Sequence, residues 1–281
     1  MNSSNPVLSR LAGRANRHAG LRREPAAYPG PGYAGNYGDV EEPYGGYSPY
    51  PDAREGRMTI DDVVVRTITL LAITGLVGAL AWAFVPTTES VRWGVLMGAG
   101  LTAMIAGLVI SFKQVTNPYV ISAYAALEGV FVGIFSKIYA DAFGGGIVLT
   151  AAVATFAVFF GMALVYKFRI IRATPKFTKW IIGLMFGALA ILMLNFALAM
   201  FNVNDGEGLG LRSGGPLAIG VSLFLIGLAS LSFILDFAAV EEGVRMGLPA
   251  RFAWYCGFGI LVGLVWLYLE ILRLLGYLRS E

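Results

Sequence analysis

Seven long apolar runs follow one another after residue 60, and they constrain the fold more than any other feature of the chain. Each run has about 20 to 26 residues, and a helix of about 20 apolar residues spans the roughly 30 Å of bilayer hydrocarbon. The chain is 57% hydrophobic and only 14% charged, whereas soluble domains have about 25% charged residues. We therefore predict an all-α integral membrane protein with seven transmembrane helices. The predicted spans are 63–85, 93–112, 118–139, 146–166, 180–201, 216–237 and 252–277.

The breaks between the runs contain the residues that begin and end helices. Thr59, with Asp61 or Asp62 after it, suits a helix cap, and Asn117–Pro118 and Thr174–Pro175 carry turn chemistry. The breaks are short, so consecutive helices should be antiparallel neighbours.

Residues 1–57 form a region of different composition. Gly, Pro and Tyr dominate its second half, and apolar residues do not recur with any helical or strand period. A segment of this kind cannot bury enough surface to offset its ordering entropy. We predict a disordered Gly/Pro/Tyr-rich cytoplasmic tail over residues 1–57 and a seven-helix transmembrane domain over residues 58–281.

Basic residues are distributed unevenly between the loops, which predicts an orientation in the membrane. Eight lie in loops on the amino-terminal side and three lie in loops on the other side. If the loops with more basic residues face the cytoplasm, the amino terminus lies in the cytoplasm as well. We expect a multi-pass protein of the cell membrane. The eight are Lys113, Lys167, Arg169, Arg172, Lys176, Lys179, Arg245 and Arg251, and the three are Arg92, Lys137 and Arg212.

Enzyme chemistry has little support in this sequence. The only histidine, His18, lies outside the apolar runs, and the only cysteine, Cys256, excludes an intrachain disulfide and a thiolate metal cluster. Motifs for nucleophilic, zinc-dependent or phosphate-binding chemistry are absent. Net charge is only +3, so nucleic acid is not an expected partner. We expect a protein that is not an enzyme and has no cofactor.

Acidic side chains inside apolar runs are the best candidates for a functional site, because an intramembrane charge is costly. Asp236 lies one residue before the end of the sixth run. Removal from water favours its neutral form, and Arg245 or Arg251 nearby would favour its charged form. Asp236 is therefore either a proton-sensitive gate and possible calcium ligand or an acid paired with a loop arginine, with Glu241 and Glu242 as solvated neighbours.

Two further acids lie at other depths. Glu128 is ten residues into the third run and so near the bilayer midplane, where a carboxyl must be neutral, paired or facing water. Glu270 lies near the outer end of the seventh run, where Arg273 can neutralise it by an (i, i+3) pair. We take Asp236, Glu128 and Glu270 as candidate residues of an ion path.

Four Gly-xxx-Gly pairs lie inside the runs and predict close helix packing. They are Gly94/Gly98, Gly129/Gly133, Gly183/Gly187 and Gly259/Gly263.

Three sequence stretches together with the seven-span layout resemble the Bax inhibitor-1 family, also called the transmembrane Bax inhibitor motif family, in its bacterial YccA-like branch. The stretches are NPYVISAYAALEGVFVG in the third run, SFILDFAAVEE closing the sixth, and LYLEILRLLGYL near the carboxyl end. The resemblance covers residues from about 58 to 281.

The resemblance implies seven helices with the last at the centre of the other six. It also implies a pH-sensitive calcium leak, in which an aspartate of the sixth span pairs with one of the seventh. Asp236 matches the first aspartate. Alignment of LYLE places the partner at Glu270, whereas alignment of the chain ends places Gly263 at the partner position.

Two functions follow as hypotheses. The first is a proton-regulated path for calcium or another cation, with Asp236 as the inner gate and Glu128 inside the path. The second, which the bacterial members also suggest, is a non-transporting regulator that binds a membrane protease or another membrane protein through the tail and the basic loops. The lipid bilayer is the expected surrounding in both, and the oligomeric state stays open.

Overall fold

Seven helices make up the part of the chain that the computed structural model describes, which is residues 56–85, 88–205, 207–211 and 213–280. All seven are long and apolar enough to cross a membrane, which confirms the predicted class. In chain order they are α1 (Ile60–Phe84), α2 (Glu89–Lys113), α3 (Pro118–Phe143), α4 (Gly146–Lys167), α5 (Pro175–Met200), α6 (Pro216–Arg245) and α7 (Phe252–Ser280). Of the predicted tail only residues 56 and 57 are described, so the prediction of disorder falls outside the described residues.

The helices begin where the sequence provides caps. The hydroxyl of Thr59 accepts a hydrogen bond from the backbone N–H of Asp62, and the Asp62 carboxylate accepts one from the N–H of Thr59, each at 3.1 Å. Asn117 caps α3 and Thr174 caps α5, and in both helices a proline fills the first position. Proline suits that position because its missing N–H would have no helical partner there.

The sixth helix is longer than its apolar run. It continues to Arg245, so Asp236 lies nine residues, or about 13 Å, before the helix end rather than beside it. The segment after Phe237 contains no proline, Gly243 stays helical, and Gly247, with a φ of 67°, follows the end of the helix. The helix thus continues past residue 237, where the predicted apolar span ends.

The last helix is the most enclosed element. α7 packs against α1, α3, α4 and α6, and 56% of its most apolar window is buried, compared with 11% for α5. Its buried residues belong to the two largest apolar clusters of the described chain. The peripheral helices are α2, which packs on α3, and α5, which packs on α6. The predicted central position of α7 is confirmed, and besides these four helices α7 contacts α2, since the hydroxyl of Tyr255 donates to the carbonyl oxygen of Ser111 at 3.3 Å.

Two of the four glycine pairs lie in helix interfaces. Gly129 and Gly133 of α3 face Thr74 and Gly78 of α1 so closely that a side chain on either would meet backbone atoms of α1. The Thr74 hydroxyl donates a hydrogen bond to the carbonyl oxygen of Ala125 at 3.0 Å across the same interface. The second pair that lies in a helix interface is Gly259/Gly263 on α7, which faces α6. The two remaining pairs, Gly94/Gly98 on α2 and Gly183/Gly187 on α5, meet open space.

A short backbone pairing attaches the residues before α1 to the turn between α6 and α7. The N–H of Met58 donates to the carbonyl oxygen of Leu248 at 2.8 Å, and the N–H of Ala250 donates to that of Gly56 at 2.9 Å. Met58 is 1% exposed, and its side chain lies against Gly243 of α6. We call residues 56–58 the strap.

Candidate functional site

Asp236 lies between α6 and α7, opposite the glycine pair of α7. A Cβ atom on Gly263 would be 3.6 Å from one Asp236 carboxyl oxygen, and a Cβ on Gly259 would be 3.8 Å from the other. The aspartate side chain is half-buried. The carboxyl therefore occupies space that exists because α7 has no side chains at these two positions.

An aromatic cluster of α6 and α4 includes Phe233, which faces the same glycine of α7 as the Asp236 carboxyl. Phe233 is fully buried, and its ring edge would lie 2.9 Å from a Cβ on Gly263. Phe159 of α4 contacts Phe233 and Phe237, with ring centroids 5.1 and 5.6 Å apart. Cys256 of α7 is close enough to interact electrostatically with Asp236. The acid thus lies in mainly apolar surroundings.

No side chain in the described part of the chain neutralises Asp236 by an ion pair or a hydrogen bond. Arg245 instead forms an (i, i+3) ion pair with Glu242, and Arg251 is exposed at the turn before α7. Glu241 accepts a hydrogen bond from the hydroxyl of Tyr166 of α4. The alternative of an interfacial acid paired with a loop arginine is therefore not what the described residues form.

Glu128 lies on α3 with one aromatic partner. It is half-buried and hydrogen-bonds to Tyr124, one helical turn before it. Tyr124 is 5% exposed and packs edge-on against Phe258 of α7, with ring centroids 4.9 Å apart. Glu128 therefore belongs to the interface of α3 with α7, and its neighbours differ from those of Asp236.

Glu270 is the most buried of the three acids, and an arginine neutralises it. It is 2% exposed, and Arg273 donates to its carboxylate at 2.6 Å. The guanidinium of Arg273 also lies 5.9 Å from the ring centre of Phe135 on α3. Glu270 follows Gly263 by seven residues, or about 10 Å along the helix. Gly263, not Glu270, is the residue of α7 that faces Asp236, which favours the alignment by chain ends.

Asp236 cannot hold a resident calcium ion by itself. Calcium takes six to eight oxygen ligands in proteins, and in the described residues no group of three or more His, Cys, Asp or Glu side chains could hold a metal ion. A single carboxylate suits brief contact with a passing cation, because a path must release the ion as well as attract it.

Several residues that contact the acids were not predicted from the sequence. Tyr166 and Cys256 come from other helices than the acids they accompany, and no local spacing indicates such contacts. The Tyr124 partner of Glu128 has the (i, i+4) spacing of a helical pair, so this contact had a signal in the sequence.

Comparison with protein families agrees with the family resemblance of the sequence. The family described as Bax inhibitor 1 like matches residues 5–280. The match includes most of the amino-terminal tail, so the predicted limit of the resemblance at about residue 58 was wrong. No curated protein matches the chain. With seven membrane-spanning helices and a match over nearly its whole length, this chain belongs to the Bax inhibitor 1 like family.

Proposed function

We propose that the protein provides a path for cations, with calcium as the candidate ion, and that the protonation state of Asp236 controls conduction. The observation that carries the proposal is a carboxyl placed between two membrane helices without a cationic partner in the described residues. An ionisable group in such a position is costly, and membrane proteins retain such groups chiefly on ion or proton pathways. The site serves this role in a cell membrane, with the amino terminus in the cytoplasm.

The gate operates by a change in the charge of one side chain. When ionised, Asp236 attracts a cation towards the interface of α6 and α7, because charge interactions are strong away from bulk water. When protonated, the same side chain is neutral, and the rings of Phe233 and Phe237 leave an apolar constriction that a hydrated ion does not cross. Flux should therefore increase as the pH rises. In this scheme Glu128 of α3 also attracts the cation, and the charge of Glu270 is balanced by Arg273.

The first prediction concerns calcium flux from proteoliposomes. Asp236→Asn keeps the side-chain size but removes the charge, so flux should fall about tenfold, the effect of losing roughly 1.4 kcal/mol of cation binding. The remaining flux should not change between about pH 6 and about pH 8, where wild-type flux should vary. Glu242→Gln is the matched control, because it removes an acid from α6 that is already paired with Arg245. Unchanged flux and pH dependence in Asp236→Asn would exclude this mechanism.

A second candidate function is supported by the strap. Residues 56–58 join the amino-terminal segment to the turn before the central helix, so a protein bound to that segment would be held next to the bundle. A non-transporting regulator of a membrane protease would use the segment in this way. Deletion of residues 1–55 should then abolish capture of the partner in a crosslinking experiment, while Asp236→Asn should not. The opposite result would support the cation path instead.

A further inference from the structure

A polar cavity lies at the end of the bundle where α4 and α6 finish. Its volume is about 460 Å³, and the loop between α4 and α5 forms one wall while the last turns of α6 form the other. It is lined by Tyr166, Lys167, Arg169, Ile171, Arg172, Ala173, Ala238, Glu241, Glu242 and Arg245. The cavity is distinct from the surroundings of Asp236, which lies deeper along α6.

The charges that line the cavity leave an excess of positive charge. Four of its side chains are basic and two are acidic. Both acids already have partners, since Glu241 binds Tyr166 and Glu242 binds Arg245. The described structure shows no ion pair for the remaining cations Lys167, Arg169 and Arg172. Three cations around one cavity attract an anion with several oxygen atoms, and a guanidinium matches a phosphate with two parallel hydrogen bonds.

The surroundings of the cavity belong to the membrane surface. Basic and apolar residues alternate along the loop, and the side chains of Phe168 and Ile170 are 68% and 71% exposed. Trp180, in the second turn of α5, is 72% exposed. Exposed aromatic and aliphatic side chains next to cations are typical of the layer where lipid headgroups meet acyl chains.

The packing of the helices leaves room for a lipid next to the cavity. α4 and α5 are joined by this loop and each packs against α6, yet in the described residues they do not contact each other. The outer surface of α6 is therefore open to acyl chains between them. A phospholipid whose headgroup fills the cavity would extend its chains into this gap.

We propose that this cavity binds the phosphate-bearing headgroup of an anionic phospholipid. The phosphate contacts Arg169 and Arg172, Lys167 supplies further positive charge, and Phe168 and Ile170 reach into the acyl layer beside the lipid. This inference does not depend on the cation path, because none of these residues contacts Asp236. Basic cavities between membrane helices are suited to anionic headgroups, and each cation near the surface contributes to their attraction.

Native mass spectrometry of the full-length protein in detergent tests the proposal. The delipidated protein is titrated with dioleoylphosphatidylglycerol or dioleoylphosphatidylcholine, which both have a phosphate but differ in net charge. Wild-type protein should retain the anionic lipid at a concentration roughly tenfold lower than the zwitterionic one. Equal retention of the two lipids by wild-type protein would overturn the proposal, and this comparison needs no variant.

Two double variants then locate the site. Arg169→Gln/Arg172→Gln should lose the preference for the anionic lipid. Lys176→Gln/Lys179→Gln should keep it, since these exposed lysines lie on the same side of the bundle but do not line the cavity. An equal loss in both would indicate diffuse surface charge and contradict a specific cavity. Displacement of the lipid by an equal concentration of inorganic phosphate would show a site for free phosphate and would also refute the proposal.

Discussion

The two buried acids of the last two helices are accommodated in different ways. Glu270 is neutralised by Arg273, whose guanidinium also lies over the ring of Phe135. Asp236 instead lies against the backbone of α7, because α7 presents glycines at positions 259 and 263. The Glu270–Arg273 pair lies within α7 and balances its own charge, whereas an acid without a cation changes its interactions when it gains or loses a proton. Of these two acids, Asp236 is the one that suits the proposed switch.

Loss of the arginine that neutralises Glu270 should destabilise the bundle. Arg273→Met retains the apolar contact with Phe135 but leaves a buried carboxylate without this cation, at a cost of about 3 kcal/mol. Adding Glu270→Gln removes the charge and should restore most of the loss. Thermal unfolding in detergent measures both variants against wild-type protein. A double variant no more stable than Arg273→Met would contradict a stabilising role for the pair.

The identity of the candidate acids followed from the sequence, but their neighbours did not. The lengths of the apolar runs indicate that Asp236 and Glu128 lie within membrane helices, where an acid is rare because it is costly. Which way a side chain points depends on the rotation of its helix about its own axis, and in helices as uniformly apolar as these the sequence pattern hardly restricts that rotation. The contact of Asp236 with a glycine pair on another helix could therefore not be predicted.

At the level of the helices, the same glycine motif lies in a helix interface in two cases and faces open space in the other two. Gly129 and Gly133 let α3 approach the backbone of α1, and Gly259 and Gly263 make space on α7, whereas the pairs on α2 and α5 face open space. The seven spans could be predicted, since their lengths follow from bilayer thickness. Which glycine pairs are used depends on which helices become neighbours, and four identical motifs do not encode that.

A comparison of two single substitutions tests this distinction between glycines. A Cβ on Gly133 would lie 2.8 Å from the Cα of Gly78, so Gly133→Ala should force α1 and α3 apart and destabilise the protein by about 1–3 kcal/mol. Gly98→Ala meets no neighbouring atom and should be neutral or slightly stabilising, since alanine favours helices. Thermal unfolding of the two variants is the measurement. Equal effects would mean that the α1–α3 contact is not as close as described.

Across the whole molecule, the cations at the two ends of the bundle have different surroundings. At the end opposite the basic loops, Arg92 pairs with Asp141 at 3.4 Å. Lys137 donates to the carbonyl oxygen of Trp82 at 2.9 Å, and Arg279 donates to that of Phe143 at 2.7 Å. At the basic end, Lys113, Lys167 and their neighbours are exposed. The number of basic residues in the loops therefore remains the basis for the predicted orientation.

The orientation in the membrane can be measured by labelling. In a Cys256→Ala background, a cysteine introduced by Val203→Cys at the exposed end opposite the basic loops should react with a membrane-impermeant maleimide on intact cells. Lys176→Cys, exposed on the basic side, should react only after the membrane is permeabilised. The reverse pattern would contradict a cytoplasmic amino terminus.

Because the strap is hydrogen-bonded to the turn that precedes α7, the start of α1 and the start of the central helix are tied together at this end of the bundle. Met58 anchors this connection, because its side chain is buried and packs against Gly243. A displacement of the strap would therefore be transmitted to the helix that borders Asp236, without any direct contact with the carboxyl.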